Sequence, residues 1–384
     1  MRVWGAQQNR LESLDVLRGL AIFCMIFVDA VPDPDRAPSW MLHTSWQGIS
    51  FADLAFPGFV FAMGAAMAVW LDRHRGRRQG AATGKICRRA MLLIFLGLLY
   101  NSLPLLFQYL LFPETASLSL WEEFSQHGRW LGVLQRLALV YAAGMMLGGR
   151  LRSEFQILLA AFLLLAVSSA GFHWYAPNHP FAVDHNISSA LDQFFPGTAH
   201  CYLGKNFDPE GLYGTIACTA SVLFGMLAGR LLQEKSMRGV LSLAASSALL
   251  LAAGWSWSQL DIISKPLWTA PYALCTSGGL MLLAALVQLI FLCVPRAASF
   301  VFHPMRIFGM NALFIYMATG VALSLLWLLP SSAEGQPFFP WLWSVSVGSM
   351  LPEADSIVCF ALLWCVCWWP LMELLYRRRI FIKL

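Results

Sequence analysis

The sequence carries little charge for its length. Asp, Glu, Lys and Arg make up only 12% of its 384 residues, and its mean hydropathy is +0.61. Because a soluble domain is usually about a quarter charged, this composition argues against a soluble protein and predicts an integral membrane protein. The expected fold class is all-α, a polytopic bundle of transmembrane helices.

Several functional signatures are also missing. The chain has no CxxC pair and no Cys/His cluster at zinc spacing, so we predict no metal. No glycine-rich phosphate loop of the Walker or Rossmann kind occurs. The pI of about 8.8 does not indicate nucleic-acid binding, because the basic residues follow membrane topology. We also find no convincing internal repeat between the two halves.

What the chain does contain is a series of ten apolar stretches, each about 20 residues long, which is the length of a membrane-spanning helix. The predicted spans are Ser13–Val31, Phe51–Leu71, Ala90–Leu111, Trp130–Gly149, Phe155–Tyr175, Gly211–Leu232, Gly239–Ser258, Leu267–Val294, Phe308–Pro330 and Ser356–Tyr376. Together they form one predicted domain, 1–384, with the site helices at 13–71 and an outer loop at 176–210. The first span does not read as a signal peptide, because it carries charge and is too long.

The lysines and arginines predict the orientation of these spans. Twenty of the 26 fall on the side that holds both termini, and four fall on the opposite side. Those four are Arg36, Arg129, Lys205 and Lys265. By the positive-inside rule, both termini are expected in the cytoplasm.

One stretch, Met41–Gly64, combines a histidine with an aspartate at the start of a predicted span. Ser50 and Asp53 have the spacing of a capping box, which predicts a helix start at about Phe51. His43 and Asp53 would then lie together at the outer mouth of a membrane helix, where ionisable side chains suggest function. From spacing alone, His43 could equally be an interfacial residue and Asp53 only a helix cap.

The residues at this point resemble a known family. SLDVLRGLAIFCMIFVD at Ser13–Asp29 and HTSWQGISFADLAFPGFVFAMG at His43–Gly64 are similar to the heparan-α-glucosaminide N-acetyltransferase family. Three later stretches support the resemblance, at Gly132–Tyr141, Phe207–Ile216 and Gly309–Tyr316. The resemblance implies a polytopic enzyme that moves acetyl from cytoplasmic acetyl-CoA to the amine of a terminal glucosamine across the membrane. It also implies a bacterial-type member without the N-terminal luminal domain, located in the inner membrane.

The resemblance carries residue roles as well. The family's catalytic histidine matches His43, and its polar partner, commonly asparagine, matches Asp29. Histidine suits the removal of a proton from an amino sugar, and an aspartate can charge-stabilise the imidazolium that results. The candidate substrate-binding residues are Asp53, Trp46, Arg136, Asp208, Glu210 and Asn311.

Each candidate also has a structural interpretation. Arg136 lies deep in a span and is expected to pair with a carboxylate. Asp208 and Glu210 precede a helix and could simply favour its positive end. Asn311 could serve interhelical hydrogen bonding.

The donor side is predicted from arginines near the basic face. Arg18, Arg88 and Arg89 are candidates for the phosphates of acetyl-CoA, since a guanidinium binds phosphate bidentately. Arg18 could instead extend to the lipid headgroups.

The expected partners are an amino sugar, acetyl-CoA as co-substrate and the bilayer, with no nucleic acid; a homodimer is one option. Two other functions stay open at this point, a sugar transporter and an O-acetyltransferase of cell-surface glycans. His43 could act as a general base or as a nucleophile.

Overall fold

The computed structural model describes residues 11–74, 79–115, 118–331 and 335–382, and within these ranges the chain forms sixteen α-helices and no β-strand. They are α1 Glu12–Asp29, α2 Ala55–His74, α3 Gln79–Asn101, α4 Leu103–Leu111, α5 Leu120–His127, α6 Val133–Gly148, α7 Glu154–Tyr175, α8 Ile187–Phe194, α9 Thr215–Gln233, α10 Met237–Trp257, α11 Ala270–Cys293, α12 Pro295–Val301, α13 His303–Met310, α14 Ala312–Leu328, α15 Phe338–Trp343 and α16 Glu353–Arg377. The predicted basic residues Arg2, Arg10, Arg75, Arg77, Arg78 and Lys383 lie outside the described residues.

The prediction of a polytopic helical membrane protein is confirmed. In the described part of the chain, six helices are long and apolar enough to cross a membrane, and two bent pairs raise the number to eight. Helices occupy all ten predicted positions. The two that miss the length and composition criteria are α1, which carries four charged residues, and α6, which has only 16 residues.

Two predicted spans are broken. The pair α3 and α4 bends by 42° around Ser102, just before Pro104 at the start of α4. Proline lacks a backbone N–H and cannot continue the preceding hydrogen-bond ladder. The pair α13 and α14 bends by 84° at Asn311, whose backbone is not helical.

Helix α9 lies at the centre of the bundle and is buried along nearly its whole length. It packs directly against α2, where two glycines let the backbones touch. A Cβ at Gly64 would lie 2.2 Å from the carbonyl oxygen of Val222, and one at Gly225 would lie 2.2 Å from that of Phe61. Such small-residue contacts are typical of membrane helices. They hold α2 rigidly in the middle of the fold.

The helix ends define two opposite faces. We call the side with segments 30–54, 112–115, 118–132, 176–214 and 258–269 the loop face, and the opposite side the basic face. Contacts join residues within each face: Trp46 Nε1 donates to the Phe181 carbonyl on the loop face, and Gln233 donates to Asp72 on the basic face. The loops therefore group as alternating spans require. The assignment of the basic face to the cytoplasm stays a prediction.

Candidate active site

His43 lies on the loop face, in the segment that leads from α1 to α2. Two hydrogen bonds attach this segment to its surroundings: Gly48 N donates to the Ile263 carbonyl at 2.8 Å, and Trp46 Nε1 donates to the Phe181 carbonyl at 2.9 Å. Gly48 has a φ of +110°, which side-chain-bearing residues rarely adopt. The tight turn there brings His43 back over the start of α2. Its side chain stays 49% exposed.

Asp53 is fully buried beneath His43 and forms the predicted capping box. Its backbone N–H donates to Ser50 Oγ at 3.3 Å, and Ser50 N donates to Asp53 Oδ2 at 3.0 Å. The helix begins as a 3₁₀ turn at Ala52, one residue later than predicted, and continues as α2. The capping-box prediction is confirmed by these contacts.

The two carboxylate oxygens of Asp53 face different neighbours. Oδ2 accepts hydrogen bonds from the backbone N–H and the hydroxyl of both Thr44 and Ser50, at 2.9–3.2 Å. Oδ1 lies 2.9 Å from His43 Nδ1 and 3.4 Å from Lys265 Nζ. One oxygen therefore holds the local backbone, while the other is left for ionisable partners. The helix-capping role of Asp53 therefore rests on Oδ2, and its candidate role in the active site rests on Oδ1.

This contact favours one tautomer of His43. If Nδ1 carries the proton and donates it to Asp53 Oδ1, the lone pair of Nε2 is free to take a proton. The imidazolium formed in that way would be stabilised by the Asp53 charge. The arrangement therefore suits a general base that acts through Nε2.

Lys265 is the residue that sequence reasoning missed. Its Nζ lies 2.8 Å from His43 Nδ1 and 3.2 Å from Nε2, and its side chain is only 13% exposed. Burial lowers the pKa of Lys265, although the charges of Asp53, Glu210 and Asp29 oppose this change. One signal could have identified it: Lys265 is one of only four basic residues on a side that otherwise avoids them.

Asp29, the other predicted catalytic residue, is the last residue of α1 and is exposed. Its charge interacts with those of His43 and Lys265. Among the described residues, the carboxylate that is hydrogen-bonded to His43 is, however, that of Asp53. Asp29 thus borders the site without holding the imidazole.

Asp208 and Glu210 meet an arginine that the sequence did not link to them. Arg129 binds Asp208 in a bidentate manner, with N···O distances of 2.9 and 2.6 Å, and also contacts Glu210. Both Asp208 oxygens accept a further backbone N–H, from Tyr202 and from Glu210. Asp208 therefore holds the loop together. Its predicted contact with substrate stays untested.

Glu210 is the part of this network that faces the active site. Burial acts to raise the pKa of Glu210, but the positive charges of Arg129, Arg136 and Lys265 outweigh it and the pKa is lowered. Asp192, which accepts from the backbone N–H of Asp208, behaves in the opposite way. Burial raises the pKa of Asp192 to about 6.

Arg136 in α6 is 1% exposed and donates through Nη2 to the Gly211 carbonyl at 2.7 Å. Its guanidinium lies 5.5 Å from the centre of the Trp268 ring. Nε and Nη1 have no hydrogen-bond partner among the described residues. The expected ion pair is not found there: Glu210 acts on Arg136 only electrostatically.

Two other candidates serve as attachment points. Trp46 packs edge-on against Phe207, with ring centres 5.0 Å apart, and so supports the His43 segment. Asn311 lies on the basic face, far from His43 along the bundle. Its amide donates to the Ile380 carbonyl at 3.0 Å and accepts from Ile382 N at 2.9 Å.

A cavity of about 340 Å³ opens between α1, α2, α3, α6 and α13. Its wall is mainly apolar, with Met63, Met67 and Trp70 contributed by α2. Arg18 and Arg89 also line it, and the Arg89 guanidinium lies 4.8 Å from the centre of the Tyr141 ring. This volume and composition match a small-molecule pocket.

Of the three arginines predicted to bind the phosphates of acetyl-CoA, two line this cavity and one does not. Arg18 and Arg89 line it, whereas Arg88 is exposed and does not. Arg18 Nη1 donates to the Gly309 carbonyl at 3.3 Å and lies 3.6 Å from Asp15. Its guanidinium is therefore held at the cavity wall and is not simply extended toward lipid.

Helix α2 connects the cavity with His43. From Trp70 to Phe59, its cavity-lining residues cover about 16 Å at ~1.5 Å per residue. Asp53 lies about 9 Å beyond Phe59 on the same axis. A mainly apolar cavity lined by two arginines and the contact between His43 and the buried Asp53 therefore lie at opposite ends of one helix.

Comparison with known proteins agrees with this arrangement. Residues 11–352 match the acyltransferase domain family. Over 98% of its length the chain is 25% identical to human heparan-alpha-glucosaminide N-acetyltransferase and 24% identical to the mouse protein of that name. The match covers 60% of the human protein and 61% of the mouse protein, so the chain spans about three fifths of their length.

Proposed function

Because the chain belongs to the acyltransferase domain family, we propose that it is a transmembrane acetyltransferase that uses acetyl-CoA on its basic face and a glucosamine-type sugar on its loop face. The observation that carries the proposal is the course of α2. One end of this helix lines the arginine-containing cavity, and the other end holds Asp53 against His43. The basic face would be cytoplasmic and the loop face periplasmic, in a bacterial inner membrane.

The cavity suits the donor in two respects. Its apolar wall would accept the narrow arm of acetyl-CoA, since pockets for small molecules are mostly apolar with a few charged groups. Arg18 and Arg89 would bind phosphate oxygens with charge-assisted hydrogen bonds. A volume of about 340 Å³ leaves the nucleotide outside, at the mouth on the basic face.

On the loop face, His43 would act as general base. A glucosamine is largely protonated at neutral pH and must lose a proton before it can attack. Nε2 of His43 would take that proton while Asp53 Oδ1 stabilises the imidazolium. The amine nitrogen then attacks the thioester carbonyl, and the carbon–sulfur bond breaks so that CoA leaves as the thiolate. The nitrogen loses two protons in total: one reaches the thiolate through His43, and the other is released to water. Asp29 and Glu210, which also act on Lys265, would attract the incoming ammonium.

We favour direct attack in a complex of both substrates over an acetyl-histidine intermediate. The thioester is already activated, so a covalent step would gain little rate. A chase separates the two mechanisms: protein exposed to labelled acetyl-CoA is freed of donor and then mixed with amino sugar. Label that moves from His43 to the sugar would establish the covalent route.

The main test is acetyl transfer by purified protein in lipid vesicles. Labelled acetyl-CoA and a glucosaminide should give an acetylated sugar without any ion gradient. Absence of transfer, combined with uptake of labelled sugar into the vesicles, would instead support a transporter.

O-acetylation is the second candidate, because the acyltransferase domain family also contains O-acetyltransferases. The same His43 would then deprotonate a hydroxyl. Treatment of the product with hydroxylamine distinguishes the two, since an ester is cleaved and an amide survives.

The orientation has its own test. Reporter fusions placed after Arg150 and within 176–210 should give opposite signals. Equal signals would contradict the proposed topology and the reaction across the membrane.

A further inference from the structure

The contact between Lys265 and His43 has a chemical consequence that rests on the proposed function. Lys265 Nζ is a primary amine that lies 2.8 Å from His43 Nδ1 and 3.2 Å from His43 Nε2, the proposed base. It also lies 3.4 Å from Asp53 Oδ1. An acceptor sugar must place its own amine against the same nitrogen. Lys265 therefore places a primary amine of the protein within reach of the nitrogen that the substrate amine would also have to approach.

The position of Lys265 is built into the segment between α10 and α11. Ile263 accepts the hydrogen bond from Gly48 N, which ties this segment to the His43 segment. Ser264 N donates to Thr269 Oγ1 at 3.0 Å, and that hydroxyl donates to the Ile262 carbonyl at 2.7 Å. These contacts fix the backbone on both sides of Lys265, so the fold holds its amine beside His43.

We propose that Lys265 is a self-acetylation site: with acetyl-CoA present and no acceptor sugar, its Nζ takes the acetyl group in place of the substrate. The step uses the chemistry proposed for the sugar. The Nζ–carbon bond forms, the carbon–sulfur bond of the thioester breaks, and CoA leaves as the thiolate. His43 accepts the proton that Nζ releases and passes it to the thiolate. The product is a neutral acetyl-lysine amide.

The surroundings of Lys265 should make its acetylation faster than that of an exposed lysine. An exposed lysine is almost entirely protonated at neutral pH and is a poor nucleophile. Burial lowers the pKa of Lys265, so more of it is free amine. Lys205 lies on the same face but is exposed, and it makes no contact with His43 in the described structure. It therefore serves as an internal reference for purely chemical acetylation.

The test is peptide mass spectrometry of the purified protein after incubation with labelled acetyl-CoA alone. We expect Lys265 to be acetylated at least tenfold faster than Lys205 in the same sample. An added glucosaminide should slow the modification, because both amines compete for one position. His43→Ala should reduce the rate at Lys265 to that at Lys205. Equal rates at the two lysines in the wild-type protein would overturn the inference.

Sugar acetylation measured in parallel separates this inference from the proposed function. Acetylated sugar with Lys265 no faster than Lys205 would overturn the inference and leave the function standing. If neither acetylated sugar nor acetyl-Lys265 forms, both the inference and the proposed function are overturned. If acetyl-Lys265 forms without acetylated sugar, self-acetylation is supported and the glucosamine-type acceptor is rejected.

Lys265→Arg distinguishes the site from an acetyl-histidine. It keeps the positive charge but has no primary amine to acylate. Label that is stable in wild-type protein, does not chase onto sugar and disappears in this variant belongs to Lys265. Label that persists in the variant and moves to sugar would lie on His43 and would count against the inference.

Discussion

The surroundings of α2 differ in chemical character between its two ends. On the loop face, the side chains of His43, Asp53 and Lys265 lie within 3.4 Å of one another. On the basic face, a mainly apolar cavity offers two arginines and few other polar contacts. The first arrangement is suited to moving a proton, and the second to holding a long molecule by its charged end. Under the proposed function, chemistry and donor binding would be separated along one helix, so substitutions at each end should change different kinetic constants.

The largest expected effect comes from removing the proposed base, His43. His43→Ala should lower the rate of acetyl transfer by about a hundredfold to ten-thousandfold, the usual contribution of general acid–base catalysis. Donor binding should be unchanged, because the cavity lies at the other end of α2. Steady-state transfer and acetyl-CoA binding measure the two effects. His185→Ala is the matched control, since His185 is exposed on the same face; equal loss in both variants would refute the assignment.

The two aspartates near His43 provide the next test. Asp53→Asn removes the charge that faces the imidazole and should reduce transfer by about tenfold to a hundredfold, the worth of a hydrogen bond to a charged group. Asp29→Asn should cost only a few-fold and shift the pH–rate profile, because Asp29 acts on His43 without contacting it. Thermal unfolding of both variants controls for folding. If Asp29→Asn loses more transfer activity than Asp53→Asn, Asp29 would be the partner of His43, as the sequence predicted.

On the basic face the expected effect is smaller and appears in KM. Arg18→Ala should raise the KM for acetyl-CoA about tenfold, since it removes one charge-assisted hydrogen bond. The KM for the sugar should not change. Arg88→Ala is the control, because Arg88 is exposed and does not line the cavity. The same change in both variants would show that the basic face acts only through its overall charge.

The smallest effect concerns the stability of the loop face. An unfolded aspartate has a pKa of about 3.9, whereas burial raises the pKa of folded Asp192 to about 6. The folded protein therefore binds this proton more tightly, and ionisation destabilises it as the pH rises from about 4 to 6. Wild-type protein should lose a few degrees of unfolding temperature relative to Asp192→Asn over that range.

Thermal unfolding in detergent at several pH values would measure this difference. Asp184→Asn, an exposed change on the same loop, should show no such trend. A constant gap between the wild type and Asp192→Asn would contradict the assignment.

The sequence predicted much of this architecture because its strongest signals are local. Apolar length placed a helix at all ten positions, and the Ser50–Asp53 spacing placed the capping box beside His43. The bend at Asn311 was not predicted, because a polar residue within an apolar run does not by itself break a helix. The bend at Ser102 was not predicted either, because the span was placed by its apolar length, although Pro104 lies within it. The missed contacts all join distant segments. Lys265 lies 222 residues from His43 in the chain, and no pattern along the chain connects them.

Because α2 is continuous, it would also fix the distance over which the donor extends from the cavity to His43 under the proposed function. Arg18 and Arg89 line the cavity beside one end of α2, and Asp53 at the other end contacts His43, so the packing around this helix sets the distance between the arginines and His43. A donor with a longer acyl chain, held by the same arginines, would keep its carbonyl in place and extend its extra carbons past it, toward Lys265 and the incoming amine. Under the proposed function, the length of the helix would thus favour a short acyl group, and one residue inserted between Asp53 and Phe59 would rotate the two ends by ~100° and offset them by ~1.5 Å.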